Sequence, residues 1–272
     1  NGIADVFIRD RTLNTTTRLS VSTSGAQATG TSGSMSPRIT PDGRYIAFSS
    51  DATNLIAGDT NSDRDAFRRD RTTSTTIRVS LRDDDGQASG FAHSISDNGE
   101  RILFTSTVTG VTPNDTNVAP LWDVFVRDVP SSATALVSVA LSGTSLGTHS
   151  AAGAISGDGR FVAFSSAVRL TDPAGGYSTY HVYRRDLNLG TTRLIETNAA
   201  GEMAGGDTGG TSAEIASSGR IVAFYTAGDG LVPADSNQDY DAFVVDTSVS
   251  PPVSNPPPIP PAQTIGDGCD NA

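Results

Sequence analysis

The chain of 272 residues carries a net charge of −11, and all 19 of its basic residues are arginine. That acidity lacks the basic footprint that phosphate backbones require, so nucleic acid is not an expected partner, while a divalent cation is a natural counter-ion. Hydrophobic residues make up 36% of the chain, enough for a core, and no run of about 18 apolar residues occurs, so no helical membrane insertion is expected.

In chain order, residues 1–22 supply two predicted strands, "DVFIRD" from Asp5 and then "TTTRLS". A four-strand unit follows: "SPRIT", a turn at Asp-Gly, "YIAFSS", "DAFRRD" and "TTIRVS". Asp/Asn-Gly favours a tight hairpin because both residue types tolerate positive φ. The unit returns with "AHSIS", "RILFTS" and "DVFVRD", and again with "FVAFSS", "HVYRRD" and "TTRLIE". Residues 212–246 then give first, second and third strands, ending in "DAFVVD". The third strands begin at Asp5, Asp65, Asp123, His181 and Asp241, spaced 60, 58, 58 and 60 residues apart. The chain is one unit of about 58 residues, repeated. No helical periodicity is present.

The second strand decides the architecture. "YIAF", "ILF", "FVAF" and "IVAF" are apolar without alternation. A strand apolar on both faces is buried on both faces. Radial packing of four-stranded antiparallel blades achieves this, so the expected fold is an all-β β-propeller of four to five represented blades, with incomplete terminal blades. The Ser-Pro, Asp-Gly-Arg, apolar-Ala-Phe and Asp-x-Phe-x-x-Asp elements of "SPRITPDGRYIAFSSDATNLIAGDTNSDRDAFRRDRTTSTTIRVS" resemble the TolB-like class of bacterial propeller repeats. The resemblance covers roughly residues 1–250 and implies an extracellular or cell-surface propeller. It implies little about chemistry, because propellers host many functions.

The propeller is expected over residues 1–250, with 251–272 a Pro-rich linker and tail. Cys269 is the only cysteine, so neither an intrachain disulfide nor a Cys-based zinc site is available. Cysteine avoidance fits export. The start at Asn1, without Met or signal peptide, reads as a processed or excised piece. Joining the inner strands of 212–226 to the first hairpin would close a ring of four blades with one third strand in excess. That excess predicts self-association by strand complementation between subunits, the alternative being excision from a larger propeller with the missing strands upstream.

Two loops between second and third strands carry oxygen-bearing side chains at every second position: Asp59, Asn61, Asp63, Asp65, and Asp235, Asn237, Asp239, Asp241. A third keeps Asp115, Asn117 and Asp123. Calcium takes 6–8 oxygen ligands, which such spacing can direct to one centre. The opening is similar to an EF-hand, but Arg64 and Tyr240 stand where that loop needs Gly. Asp70 or Asp246, at the twelfth position, lies about 16 Å away along a strand. The expectation is Ca²⁺ in these loops, and the alternative is a solvated turn. The fourth loop has His181 in place of the Asp and should be empty. Asp10, Asp70, Asp128, Asp186 and Asp246 end the third strands and are read as turn acceptors. Arg9, Arg69, Arg127 and Arg185 precede four of them and are read as structural pairs.

Ser145 in "GTSLG" matches G-x-S-x-G but lacks the strand-turn-helix context of a nucleophile elbow. His93 and His149 show no metal spacing. Trp122, the single tryptophan, is read as packing, with a lectin-like contact as the sharper alternative. The leading functional expectation is a non-catalytic extracellular scaffold for adhesion, assembly or protein interaction, partnered by itself or by other surface proteins or glycans. The alternatives are the propeller of a larger secreted hydrolase or lyase, and a carbohydrate-binding propeller.

Overall fold

The computed structural model describes residues 1–31, 33–117, 120–139, 143–144, 147–167, 180–201, 213–228, 230–232 and 239–248. The remaining residues include Ser145, Cys269 and the whole of 251–272, so the readings of those positions lie outside the described residues.

Seventeen strands form five antiparallel sheets in chain order, with no helix among the described residues. Blade 1 is the hairpin β1 (Phe7–Asp10) and β2 (Thr15–Arg18). Blade 2 holds β3 (Ser34–Ile39), β4 (Tyr45–Ser50), β5 (Asp65–Asp70) and β6 (Thr75–Arg78). Blade 3 holds β7 (Phe91–Ile95), β8 (Arg101–Ser106), β9 (Asp123–Asp128) and β10 (Ala133–Leu136). Blade 4 holds β11 (Ser150–Ile155), β12 (Phe161–Ser166), β13 (His181–Asp186) and β14 (Thr191–Leu194). Blade 5 has β15 (Ala213–Ile215), β16 (Ile221–Thr226) and β17 (Asp241–Asp246). The first strands of successive blades, β3, β7, β11 and β15, lie against one another, so each blade presents its first strand inward.

The cores sit between blades. Ile46 and Phe48 of β4 face blade 1, joining Val6, Leu19 and Ala28, while Ala47 on the opposite face joins Phe104 and Ile102 of blade 3. Leu103 then faces blade 4, and Ala163 faces blade 5. The unbroken apolar run of the second strand thus serves two interfaces at once, large residues backward and a smaller one forward. Within each blade the second- and third-strand aromatics pair in register: Phe48 with Phe67 at 5.6 Å, Phe104 with Phe125 at 5.5 Å, Phe164 with Tyr183 at 5.7 Å and Phe224 with Phe243 at 5.8 Å. Each such pair adds about 0.5–1.5 kcal/mol beyond its area burial.

The hairpin between first and second strands differs from the simple reading. Only the glycine has positive φ, as at Gly43 (72°) and Gly99 (71°). The preceding Asp42 or Asn98 instead accepts the N–H of Arg44 (2.9 Å) or Glu100 (3.1 Å) through its side chain. At Gly99 a Cβ would also overlap the Tyr45 ring of the blade before, so close blade approach and backbone conformation both require glycine there.

Ring closure through the first hairpin does not occur among the described strands. The partner of β1 is β2, and that of β17 is β16. The inner strand β16 keeps its in-register partner β17 (Phe224 opposite Phe243), and the hairpin is held on blade 2, where Ser34 N–H donates to Ala4 O at 2.8 Å. Among the described residues two blade faces are open. Phe7, equivalent to the fully buried Phe67, is 54% exposed, and Val244 on the far face of blade 5 is 70% exposed.

Candidate functional site

The residue that begins each third strand is first a structural clamp. Asp5, Asp65 and Asp123 accept the hydroxyls of Ser20, Ser80 and Ser138 at 2.6, 2.7 and 2.7 Å. Each of those hydroxyl oxygens accepts a backbone N–H at 3.1 Å, from Val6, Ala66 and Val124. Blade 4 rebuilds the clamp with other chemistry: His181 Nδ1 lies 3.0 Å from Glu196 Oε2. The pair changes together, carboxylate and hydroxyl becoming imidazole and carboxylate at a buried position where polar groups need partners, and Glu196 Oε1 also accepts the Thr226 hydroxyl at 2.8 Å.

The acidic loops diverge from this common base. In blade 2, Asp59, Asn61 and Asp65 converge, but the Arg78 side chain enters between the carboxylates, 3.1 Å from Asp59 and 3.5 Å from Asp65. The side chains of Asp59, Asp65 and Arg78 are within 2% of full burial. Burial, opposed by Ser80 and Arg78, raises the Asp65 carboxyl to about 6. Asp63 is exposed, and its N–H donates to Asn61 Oδ1 at 3.2 Å in a polar turn. The four alternating side chains therefore do not share one centre: three turn inward and Asp63 faces water.

Blade 3 keeps the acids without the arginine. In the sheet register Arg78 lies opposite Phe67, and the residue opposite the equivalent Phe125 is Leu136. Asp115 and Asp123 are 5% and 2% exposed. Asn117 donates to Asp123 Oδ2, and Val111 N–H donates to Asp115 Oδ2 at 2.9 Å. Among the described residues Asp115 Oδ1 has no hydrogen-bond partner. Burial, with the charge of Asp115 adding to it, pushes the Asp123 carboxyl up to about 7. In blade 5, Asp241 is half-buried and Asp239 exposed, while Asp235 and Asn237 lie outside the described residues. Among the described residues no cluster of three or more His, Cys, Asp or Glu side chains is gathered.

The acids that end the third strands are turn acceptors. Asp70 Oδ1 accepts the N–H groups of Thr72 (2.8 Å) and Thr73 (3.3 Å), and Asp186 Oδ1 those of Asn188 and Leu189. Their arginine partners are not the preceding residues. Arg44, Arg160 and Arg220, the Arg of the hairpin between first and second strands, bind Asp70, Asp186 and Asp246 and hold those carboxyls below the usual range. Arg69, Arg127 and Arg185 instead donate to Thr76, Thr134 and Thr192 at 2.9–3.0 Å. Arg69 and Arg127 also reach the carbonyls of Ser22 and Arg82 in the preceding connector, tying one blade to the next.

A recess of about 370 Å³ opens between blades 3 and 4, lined by Phe91, His93, Thr105, Trp122, His149 and Tyr180, among others. It lies where the second-to-third loops emerge. Trp122 is 36% exposed, and its ring meets Phe91 edge-on at 5.6 Å; the Arg64 guanidinium covers Phe91 at 5.3 Å. The Trp122 backbone N–H donates to His149 Nδ1 at 3.1 Å. His93 Nε2 lies 2.8 Å from Thr105 Oγ1, and burial together with the nearby Arg38 lowers its pKa to about 4. Trp122 packs, as read from the sequence, and also lines a cavity. His93 and His149 carried no spacing signal because they reach this recess from two different blades.

No family model matches the chain, and no curated protein matches it. Solved structures do. The chain is similar to a prolyl endopeptidase structure at 16% identity (TM-score 0.52, 93% of this chain and 32% of that one). It is also similar to the β-propeller domain of the Trilobed protease from Pyrococcus furiosus at 12% identity (TM-score 0.51, 90% and 62%). TolB from Acinetobacter baumannii matches at 16% identity with a TM-score of 0.46, over 90% of this chain and 46% of that one. The chain thus spans about half the length of that TolB chain. At these identities the likeness bears on architecture, and the blade-by-blade packing together with the two structures above 0.5 establishes a β-propeller fold.

Proposed function

We propose that this chain is a non-catalytic β-propeller scaffold, working outside the cytoplasm, that binds a partner protein in the recess between blades 3 and 4. The observation that carries the reading is the partly exposed Trp122 over a recess walled by Phe91 and Tyr180. Aromatic anchors in desolvated slots dominate protein interfaces. A volume near 370 Å³ falls within the range of small binding pockets, and here it suits one apolar or aromatic side chain of the partner. His93, kept neutral by burial, adds a polar contact without a charge to desolvate. Acidic charge and near-absence of cysteine support export.

The test is selection of displayed peptides on the purified chain, beside a glycan array. The expected result is a set of peptides sharing an apolar anchor, with binding at least about tenfold weaker to Trp122→Ala, the loss of one hot spot. Binding confined to glycans, or peptide binding indifferent to Trp122→Ala, would overturn the reading.

A second reading, assembly of copies through the open blade faces, is favoured by Phe7 and Val244, exposed where inner blades bury their equivalents. Light scattering tests it: concentration-dependent oligomers that Phe7→Asp disperses support it, and a monomer at all concentrations sinks it.

A further inference from the structure

Three blades answer the same electrostatic problem, and blade 3 leaves it unanswered. Asp5 in blade 1 meets Arg18 at 3.3 Å, and Asp59 with Asp65 in blade 2 share Arg78. Blade 4 has Leu194 in the arginine's register position, and there the strand-start acid is replaced by His181 paired with Glu196. Blade 3 has Leu136 at that position and still carries both acids. Asp115 Oδ1 is the one buried carboxylate oxygen, among the described residues, with neither hydrogen bond nor ion pair. An uncompensated buried carboxylate beside a second one is costly unless a cation stands between them.

We propose that the blade 3 loop holds a divalent, oxygen-seeking cation of the calcium type between Asp115 and Asp123. Asp115 Oδ1 and Asp123 Oδ2 are its charged ligands. The Asn117 amide, whose NH2 donates to Asp123, turns to offer its oxygen. Backbone carbonyls and water complete a shell of 6–8 oxygens. Two carboxylates and one divalent ion are neutral together, whereas in blade 2 Arg78 balances one of the two acid charges. In blade 2 the guanidinium fills the place, so no ion enters there. The affinity falls in the range of extracellular modules, about 10⁻⁴ to 10⁻³ M.

Trp122, the single tryptophan, is the residue immediately before Asp123, so terbium bound at this loop gains emission when tryptophan is excited. On the full chain, saturable sensitised emission is expected, displaced by excess calcium. Asp115→Asn, which keeps shape and removes charge, should weaken terbium binding at least about tenfold, the usual scale for removing a charged hydrogen-bonding partner. Leu136→Arg, which copies blade 2 into blade 3, should abolish it, and Asp63→Asn should leave it unchanged. Absence of saturable emission, or emission that persists in Asp115→Asn, would overturn the proposal. Because Asp115→Asn preserves the packing, it decides the matter even if Leu136→Arg fails to fold.

Discussion

Blades 2 and 3 share a backbone register, an aromatic pair, a clamp of Asp on Ser and the Asp-Thr-Asn of the second-to-third loop, yet they differ at three positions around that loop. Blade 2 has Arg78, Arg64 and Met35; blade 3 has Leu136, Trp122 and Phe91 in the same places. Positions that face a neighbouring blade are constrained by packing density, since a core tolerates little change in volume. Loop positions are constrained only by local charge balance, which several side-chain sets can satisfy. The repeat therefore duplicates its interior and diversifies its rim, and chemistry peculiar to this protein belongs at blade 3.

Equivalence of the interiors is tested by the largest expected effect. Phe48 and Phe104 are both fully buried, each stacked on its third-strand partner and packed on the preceding blade. Phe48→Ala and Phe104→Ala should each cost about 3–5 kcal/mol in denaturant melts. Phe7→Ala, on the open face of blade 1, should cost less than about 1 kcal/mol, the scale of surface changes. A cost below about 1 kcal/mol at Phe104 would break the account of the second strand as doubly buried.

The divergence of the rims is tested next. Arg78→Leu gives blade 2 the residue of blade 3 and leaves Asp59 and Asp65 buried without a counter-charge. The expected loss is about 3 kcal/mol, the low end for removing one partner of a buried pair, because Asp65 already sits near a pKa of about 6 and can take up a proton. If the two loops are alike apart from the arginine, millimolar calcium should recover part of that loss. Recovery in chelator alone, or no loss at all, would show that Arg78 is not what distinguishes the blades.

How far the sequence carried this picture follows from the same division. The period, the doubly buried second strand and the two-strand and three-strand ends were legible because they repeat locally in "YIAFSS" and "DAFRRD". The strand-start acids were legible as positions but not as partners. Arg78 reaches Asp59 across a strand pairing, and "TTIRVS" against the later "ATALVS" takes on meaning only once register places Leu136 opposite Phe125. Arg44 bound to Asp70, 26 residues away, was hidden for the same reason, although the recurring Gly-Arg before second strands was the available signal. The recess was not legible, since Phe91, Trp122, His149 and Tyr180 arrive from separate connections of two blades.

The smallest expected effect concerns His93, which interrupts the β7–β8 register between Ala92 and Ser94 where blade 2 has Ser36 and Pro37 between Met35 and Arg38. Its pKa falls from 6.5 to about 4 because burial, reinforced by Arg38, disfavours the charged ring. The folded chain thus keeps His93 neutral where the unfolded chain would protonate it. This contribution to stability is whole above the unfolded value of 6.5 and is lost as pH falls from there toward about 4, amounting to about 2–3 kcal/mol. Asp65, raised to about 6, acts with the opposite sign over much of the same window, since its folded form gains a proton first. Only a difference measurement isolates the histidine. Urea melts of the natural chain and of His93→Gln at about pH 7 and about pH 4.5 should show the variant losing less stability on acidification. Blade 2 has no titrating residue at the matching bulge, so equal losses in the two proteins would place the acid sensitivity elsewhere and remove His93 from what sets blade 3 apart.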